Sequence, residues 1–416
     1  MTDIAELATT YRERLARMAG SLDPDPTARR VQVIAALDAW LGTEECLAGG
    51  DHDRLLRALA DELLGAGPLQ ALLDDDAVTE IMVNGPTDVY AEVDGLLRRT
   101  PIAFRDADHI HTVIERLLTG AGRRLDQGSP MVDARLADGT RLNAVLPPVA
   151  VGTPLLTLRR PPRRRLGVEE LLELGSLHRG MAAFLHAAVL GRCNLLVSGG
   201  AGSGKTTLLA ALCDLAPEGQ RILVLEDVAE LVLRHPHAVR QESRPAGPDG
   251  GREVTLADMV RNGLRMRPDR LIIGEVRGTE AADMVAAMNT GHEGSMTTLH
   301  ANGPADALVR LETLLALAWR GQPGITTGTW IAAAIDLVVH CQRGADGGRW
   351  VAEIAAVEQG QTGDIAVTTL YRLDEHVSHT GVLSAALGEV PRRCLERMAR
   401  HGVLFPPALF ARGQAA

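Results

Sequence analysis

Lys205 is the single lysine of the chain; every other one of its 43 basic residues is arginine. It stands inside Gly199-Gly200-Ala201-Gly202-Ser203-Gly204-Lys205-Thr206, followed by Thr207. That run fits G-x-x-x-x-G-K-[ST] at every fixed position. The chemistry is phosphate binding. Glycines let backbone N–H groups turn inward around an anion, and the helix that begins at the lysine adds partial positive charge. A compact ammonium at Lys205 reaches the β- and γ-phosphates, and the Thr206 hydroxyl is offered to Mg²⁺. A chain that uses arginine wherever any cation serves keeps lysine here, where a planar fork does not replace a point charge.

Two acid-tipped apolar runs follow. Ile272-Ile273-Gly274-Glu275-Val276-Arg277 ends a short apolar strand in a carboxylate, the arrangement that sets Glu275 near Mg²⁺ or an attacking water. Leu223-Val224-Leu225-Glu226-Asp227 is a second such strand, with Glu230 one turn on. The segment Gly291 to Asn302 is polar, rich in small residues, and carries His292 and His300. Their spacing is not that of a zinc site, and zinc is rejected.

These residues need a scaffold. From about Val168 short apolar runs alternate with helical ones. Asn194–Ser198, Arg221–Leu225 and Leu271–Ile273 read as buried parallel strands. Lys205–Leu215, Leu256–Met266, Glu280–Met288 and Ala305–Ala318 read as helices, which predicts an α/β sheet domain over 168–416. Before it, 51–158 reads as a smaller α+β domain. A helix pair over Asp51–Leu73 is broken near Gly65–Pro68. Strands follow at Glu80–Val83, Val89–Val93, Leu142–Leu146 and Leu155–Leu158, with a helix over about Asp108–Leu118. Residues 1–50 read as helical, with Ile4, Leu7, Tyr11 and Leu15 on one stripe and Val31, Ile34, Leu37 and Leu41 on another, separated at Asp23–Pro26. The stretch 159–167, with Arg159–Arg165 reading RRPPRRR, is expected to be a linker: a stiff solvated connector, or a contact for phosphate or anionic lipid.

At 416 residues the chain has room for two to three domains. No apolar run reaches a membrane-spanning length; Ile331–Cys341 is interrupted by Asp336. The N-terminus lacks a signal-peptide pattern. Five dispersed cysteines without a CxxC fit a reducing cytoplasm. A net charge of −10 argues against a nucleic-acid motor that depends on overall basicity, such as a helicase.

Four ordered motifs carry a resemblance covering roughly Gly67 to Ala356. They are the phosphate loop, an Asp box (Leu225 to Leu231), an acid box (Arg267 to Gly278) and a His box (Thr290 to Asn302). Thr79–Gly85 and Ser129–Arg135 add to it. The chain resembles the type II/type IV secretion ATPase family, and within it the CpaF-like branch that powers tight-adherence and Flp-type pilus assembly. The four-cysteine zinc element of the type II export branch is missing. The resemblance implies a RecA-like ATPase domain behind an N-terminal domain, ATP and Mg²⁺ as cofactors, and a homo-hexamer. It further implies a cytoplasmic motor, peripheral at the inner face of the cytoplasmic membrane, working on integral-membrane platform proteins without direct nucleic-acid contact. It makes Glu275 the acid acting through Mg²⁺ and water, Glu226 the candidate that polarises the water, and His300 the sensor of the γ-phosphate. It expects phosphate-binding arginines from the N-terminal domain. Arg135, Arg141 and Arg159 are the candidates, with ordinary surface salt bridges as the alternative. Two readings compete with a pilus or secretion motor: a conjugation-type ATPase moving DNA or protein, and a scaffold that binds nucleotide without turnover. The tail after about Glu358 carries no usable motif.

Overall fold

The computed structural model describes residues 25–42, 52–121, 123–161, 165–244, 252–319, 326–360, 364–373, 383–384 and 389–405, together with 10, 11, 13–15, 17 and 18. The chain divides into two compact units, Met1–Arg163 and Arg164–Ala416.

In the first unit the helix α1 (Pro26–Leu41) starts where the Asp25 carboxylate accepts the Ala28 N–H at 2.8 Å, with proline at the first helical position. It packs on α2 (His52–Leu64) through Val33, Leu37, Leu41, Leu59 and Ala60. The buried stripe therefore runs 33, 37, 41. Val31, expected on it, is 64% exposed, because positions four apart share a helix face and position 31 lies off that line. The expected stripe residues Ile4 and Leu7 lie outside the described residues. The α2 pair does not stand apart from the sheet domain: buried Glu62 meets buried His109 at 3.0 Å.

Six strands form one antiparallel sheet, β1 (Val78–Gly85), β2 (Asp88–Val93), β3 (Leu96–Arg99), β4 (Met131–Arg135), β5 (Arg141–Val145) and β6 (Leu155–Arg159), in the order β3-β2-β1-β6-β5-β4. Period-two alternation sends Ile81, Val83, Leu142, Ala144, Leu156 and Leu158 into a core closed by Ile110, Val113, Ile114 and Leu118 of α3 (Ala107–Ala121). The linker expected from residue 159 begins later. Arg159 ends β6, and Arg160 is buried, donating to the carbonyls of Val78 at 3.0 Å and of Asp75. A buried guanidinium needs such acceptors, which a solvated connector does not supply. Residues 162–164 lie outside the described residues.

The second unit is a doubly wound α/β domain. Its strands are β7 (Leu195–Gly199), β8 (Ile222–Glu226), β9 (Ala238–Glu242), β10 (Arg270–Ile273), β11 (Met296–His300), β12 (Leu337–Arg343), β13 (Arg349–Gln359), β14 (Ile365–Leu373) and β15 (Leu383–Ser384). Their order is β15-β14-β13-β12-β7-β11-β10-β8-β9. Strands β12, β7, β11, β10, β8 and β9 run parallel, while β13, β14 and β15 extend the sheet as antiparallel hairpins. The expected strands β7, β8 and β10 are buried at every position, as strands covered on both faces must be. One face is covered by α4 (Arg179–Leu190) and α5 (Lys205–Cys213), with Phe184, Leu185, Leu209 and Leu212 in its core. The other is covered by α6 (Leu256–Gly263), α7 (Glu280–Asn289), α8 (Pro304–Ala318) and α9 (Thr327–Ala334), with Val260, Met284, Leu311 and Ile331. A capping box at Thr255 and Asp258 starts α6.

The region past Glu358, silent in the sequence, carries β14 and a final helix α10 (Arg392–Arg400). Arg397 of α10 reaches fully buried Asp336 at 2.8 Å, and Asp336 also accepts the Asn194 N–H at 2.7 Å, just before β7. Among the described residues, no helix is long and apolar enough to cross a membrane.

Candidate nucleotide site

Parallel α/β sheets gather ligands at the carboxyl ends of their strands. Here β7, β11 and β10 lie side by side with Gly199 opposite His300, so their carboxyl ends bring the loop, His300 and Glu275 together.

The loop leaves β7 at Gly199 and enters α5 at Lys205. Gly202 and Gly204 adopt the left-handed backbone, φ 65° and 92°, which only glycine takes without strain. Ser203 braces the turn by donating its hydroxyl to the Gly200 carbonyl at 3.0 Å. Lys205 is buried; its ammonium donates to the same carbonyl at 2.6 Å and lies 3.4 Å from His300 Nδ1. Thr206 and Thr207 follow in the first turn of α5, both half-buried. Gly200 and Ala201 complete the loop, and Ala201 is exposed.

His300 links the loop to the acid. Its Nε2 stands 2.9 Å from Glu275 Oε1, and Glu275 Oε2 meets the Arg277 guanidinium. Burial lowers the imidazole's pKa, and the Lys205 ammonium lowers it further against the opposing pull of Glu275. A neutral ring whose Nδ1 accepts from Lys205 carries its proton on Nε2, and Glu275 Oε1 beside that nitrogen has no hydrogen bond among the described residues. Thr298 steadies this strand end by donating to the Gly274 carbonyl at 2.7 Å.

Glu226, at the tip of β8, is 3% exposed. Its Oε1 accepts the N–H groups of Glu230 at 2.9 Å and Leu231 at 2.8 Å, while Oε2 lies 3.6 Å from Arg240 without a hydrogen bond. Burial pushes its carboxyl above the usual range, against those N–H groups and Arg240. It packs against Gly274, where a Cβ would come within 2.8 Å of Glu226 Cγ. The two acidic strand tips thus touch because residue 274 has no side chain.

His292 lies away from this chain of contacts; its Nδ1 is 3.3 Å from the Ala287 carbonyl. The His-box turn is pinned from below by Arg270, fully buried, which donates to Gln220 Oε1 at 2.6 Å, the Val189 carbonyl at 2.7 Å and the Gly294 carbonyl at 3.2 Å. Burial pulls its pKa down to about 10, and it remains charged at neutral pH. Sequence reading did not single out Arg270; an arginine opening an apolar strand was its signal.

The three candidate arginines of the first unit fall in one row. Arg135 pairs in register with Arg141, Arg141 with Arg159, and Arg159 with Glu80. They occupy the sheet face opposite the core; Arg135 and Arg159 are exposed and Arg141 is half-buried. Arg159 Nε lies 3.5 Å from Glu80.

A glycine-bent loop between a buried parallel strand and a helix, with a lysine, a neutral histidine and an acid at its mouth, defines a P-loop nucleotide-binding domain. The chain belongs to the Type II/IV secretion system protein family, whose model matches residues 62–383. It is 41% identical over 346 residues to a putative conjugal transfer protein of Mycobacterium tuberculosis, covering 81% of this chain and 95% of that one. It is 31% identical over 337 residues to protein VirB11 of Agrobacterium fabrum, covering 72% of this chain and 95% of the relative. Among solved structures it is similar to the VirB11 ATPase of the Brucella suis type IV secretion system, at 29% identity and a TM-score of 0.38, covering 70% of this chain and 95% of that one.

Proposed function

We propose that this chain is an ATP-hydrolysing motor, acting as a homo-hexamer at the inner face of the cytoplasmic membrane on integral-membrane platform proteins. The observation that carries the reading is the contact chain Lys205–His300–Glu275 at the mouth of the phosphate loop. Lys205 and the loop N–H groups hold the phosphates, and His300 responds to the γ-phosphate because it touches both the lysine and the acid. Glu275 orients water, and Glu226 behind it polarises that water. The donor set fits Mg²⁺: a hydroxyl at Thr206 and a carboxylate at Glu275 are the hard oxygen ligands this ion takes. When bound, the ion neutralises phosphate charge. The row Arg135, Arg141 and Arg159 supplies further cations toward the phosphates.

Family membership and the tight-adherence motifs support a machine for pilus assembly or secretion. The 41% identity to a putative conjugal transfer protein favours a second reading, a conjugation-type ATPase moving DNA or protein. Stimulation of turnover by DNA separates the two.

The test of the motor itself is a pair of variants. Lys205→Ala abolishes hydrolysis in a folded protein. Glu275→Gln keeps ATP binding and slows hydrolysis at least about 10²-fold, as removal of an electrostatic or general-base group does. Wild-type turnover in Lys205→Ala refutes the motor, and a wild type that binds ATP without turning it over makes the chain a nucleotide-binding scaffold.

A further inference from the structure

Strand β12 runs parallel to β7 with Cys341 opposite Gly199. The chain beyond Cys341 therefore leaves the sheet at the same end as the phosphate loop. Two residues on stands Arg343, and across the hairpin its register partner is Arg349. The turn between them is closed by the Gly344 N–H donating to the Gly348 carbonyl at 2.8 Å. Residues directly opposite in an antiparallel pair project from the same face, and both arginines lie over the loop. Arg343 Nη1 is 2.7 Å from the point a Cβ would take on Gly202, and Arg349 Cδ is 3.8 Å from the corresponding point on Gly204.

We propose that Arg343, with Arg349 beside it, is a phosphate ligand supplied from within the same unit, binding the β-phosphate end of a nucleoside di- or triphosphate. This rests on the nucleotide-binding reading above. The physical case is electrostatic. The Lys205 ammonium sits on the Gly200 carbonyl of the loop, and the Arg343 guanidinium is brought against Gly202 of the same backbone. A guanidinium at that distance gives an entering phosphate a charge-assisted donor of fixed geometry. Left-handed backbone at Gly202 and Gly204 leaves room for this approach; a side chain at 202 would collide with the guanidinium. The N-terminal row Arg135, Arg141 and Arg159 belongs to the other unit, whereas Arg343 is held by the sheet that carries the loop. Grip on diphosphate is therefore a property of the second unit, before any contribution from the first.

The experiment measures equilibrium binding of AMP, ADP and ATP to the full chain, by calorimetry, for wild type, Arg343→Ala, Arg343→Gln, Arg343→Lys and Lys205→Ala. Arg343→Ala and Arg343→Gln are expected to weaken ADP and ATP about tenfold and AMP less than about twofold, the loss of one charge-assisted phosphate contact. Arg343→Lys recovers part of the loss. Arg343→Gln keeps most of the stem, so it reads the charge even if the alanine variant folds poorly. Unchanged ADP affinity in folded Arg343→Gln, or equal losses for AMP and ADP, overturns the inference. A wild type that binds none of the three nucleotides overturns the nucleotide reading and this inference with it; wild-type binding lost only in Lys205→Ala overturns this inference alone.

Discussion

Glu226 and Glu275 sit at neighbouring strand tips in different electrical surroundings. Glu275 is partly open to solvent and flanked by His300 and Arg277. Glu226 is sealed, with one oxygen engaged by two backbone N–H groups and the other near Arg240. Because burial raises its pKa in the fold, Glu226 binds protons there more readily than in the unfolded chain. Its ionisation costs stability as pH rises from the ordinary carboxylate value near 4.5 through the raised one. Glu226→Gln keeps the oxygen that accepts from Glu230 and Leu231 and removes that cost. Its melting temperature at pH 7 is expected to be no lower than wild type. If Glu226 polarises water, the same variant loses about 10²-fold in turnover, a typical general-base contribution. Unchanged turnover would leave Glu226 only as the clamp of the 230–231 turn. His300 has the opposite sign of effect. Its pKa is lowered from 6.5, so the unfolded chain takes up the proton first as pH falls. Stability contributed by the neutral ring is present above about pH 6.5 and declines below it until the folded value is passed. Melting curves between pH 7.5 and 5, in wild type and His300→Asn (pH values chosen to span about that window), are expected to show a slope that the variant loses. Equal slopes would mean the ring titrates freely.

At the scale of elements, the parts of the site that follow a local rule were visible in the sequence. The loop with its flanking strand and helix depends on neighbouring residues only, and so do the acid tips of β8 and β10. What escaped depends on contacts made across the fold. Strand β11 hides inside the His box, since Thr297-Thr298-Leu299-His300 lacks a continuous apolar run. Arg343 reaches the loop only because β12 lies beside β7, a pairing of strands far apart in the chain. The helix α10 is rich in charge but carries a short apolar stripe: Cys394 and Met398, four apart, are buried in the core of the second unit, and its arginines add ion pairs. Arg397 is 6% exposed and meets Asp336, which Arg393 also approaches at 3.4 Å. It also lies 3.8 Å from Glu293 in the His-box turn. Removing one partner of a buried pair leaves an uncompensated charge, typically a loss of about 3 kcal/mol or more. Arg397→Ala is therefore expected to lower thermal stability by several degrees, about 2–4 °C per kcal/mol in a unit of this size. A melting temperature within about a degree of wild type would show that Arg393 and the Asn194 N–H suffice for Asp336.

For the whole molecule, the central question is how nucleotide chemistry in one unit becomes work. The first unit holds three arginines in register on β4, β5 and β6, and the row continues into two acids, Glu80 on β1 and Glu92 on β2. Like charges placed directly opposite one another on a sheet cost stability, roughly 0.2–1 kcal/mol per pair. The arginine end of the row lies on the face away from the core, and guanidinium groups are the donors that suit a polyphosphate. If the row binds the nucleotide held by the second unit, a bound triphosphate favours one arrangement of the two units over others, because only that arrangement makes the contact. Hydrolysis and release then remove the bias, and cycles of turnover become cycles of motion. Pro161 and Pro162 precede the boundary between the units in the sequence, and a proline ring fixes its own φ. Arg141, at the centre of the row and half-buried, is the informative position. Arg141→Ala is expected to lower steady-state turnover about tenfold or more while leaving ADP affinity within about twofold, since the loop, Lys205 and Arg343 are untouched. Fluorescence transfer between labels on the two units is expected to change when wild type binds a non-hydrolysable ATP analogue, and to change less in Arg141→Ala. Arg135→Ala and Arg159→Ala serve as neighbours in the same row. If none of the three variants alters turnover, and the transfer signal in wild type ignores the analogue, the row is a surface feature of the sheet and the motion arises elsewhere.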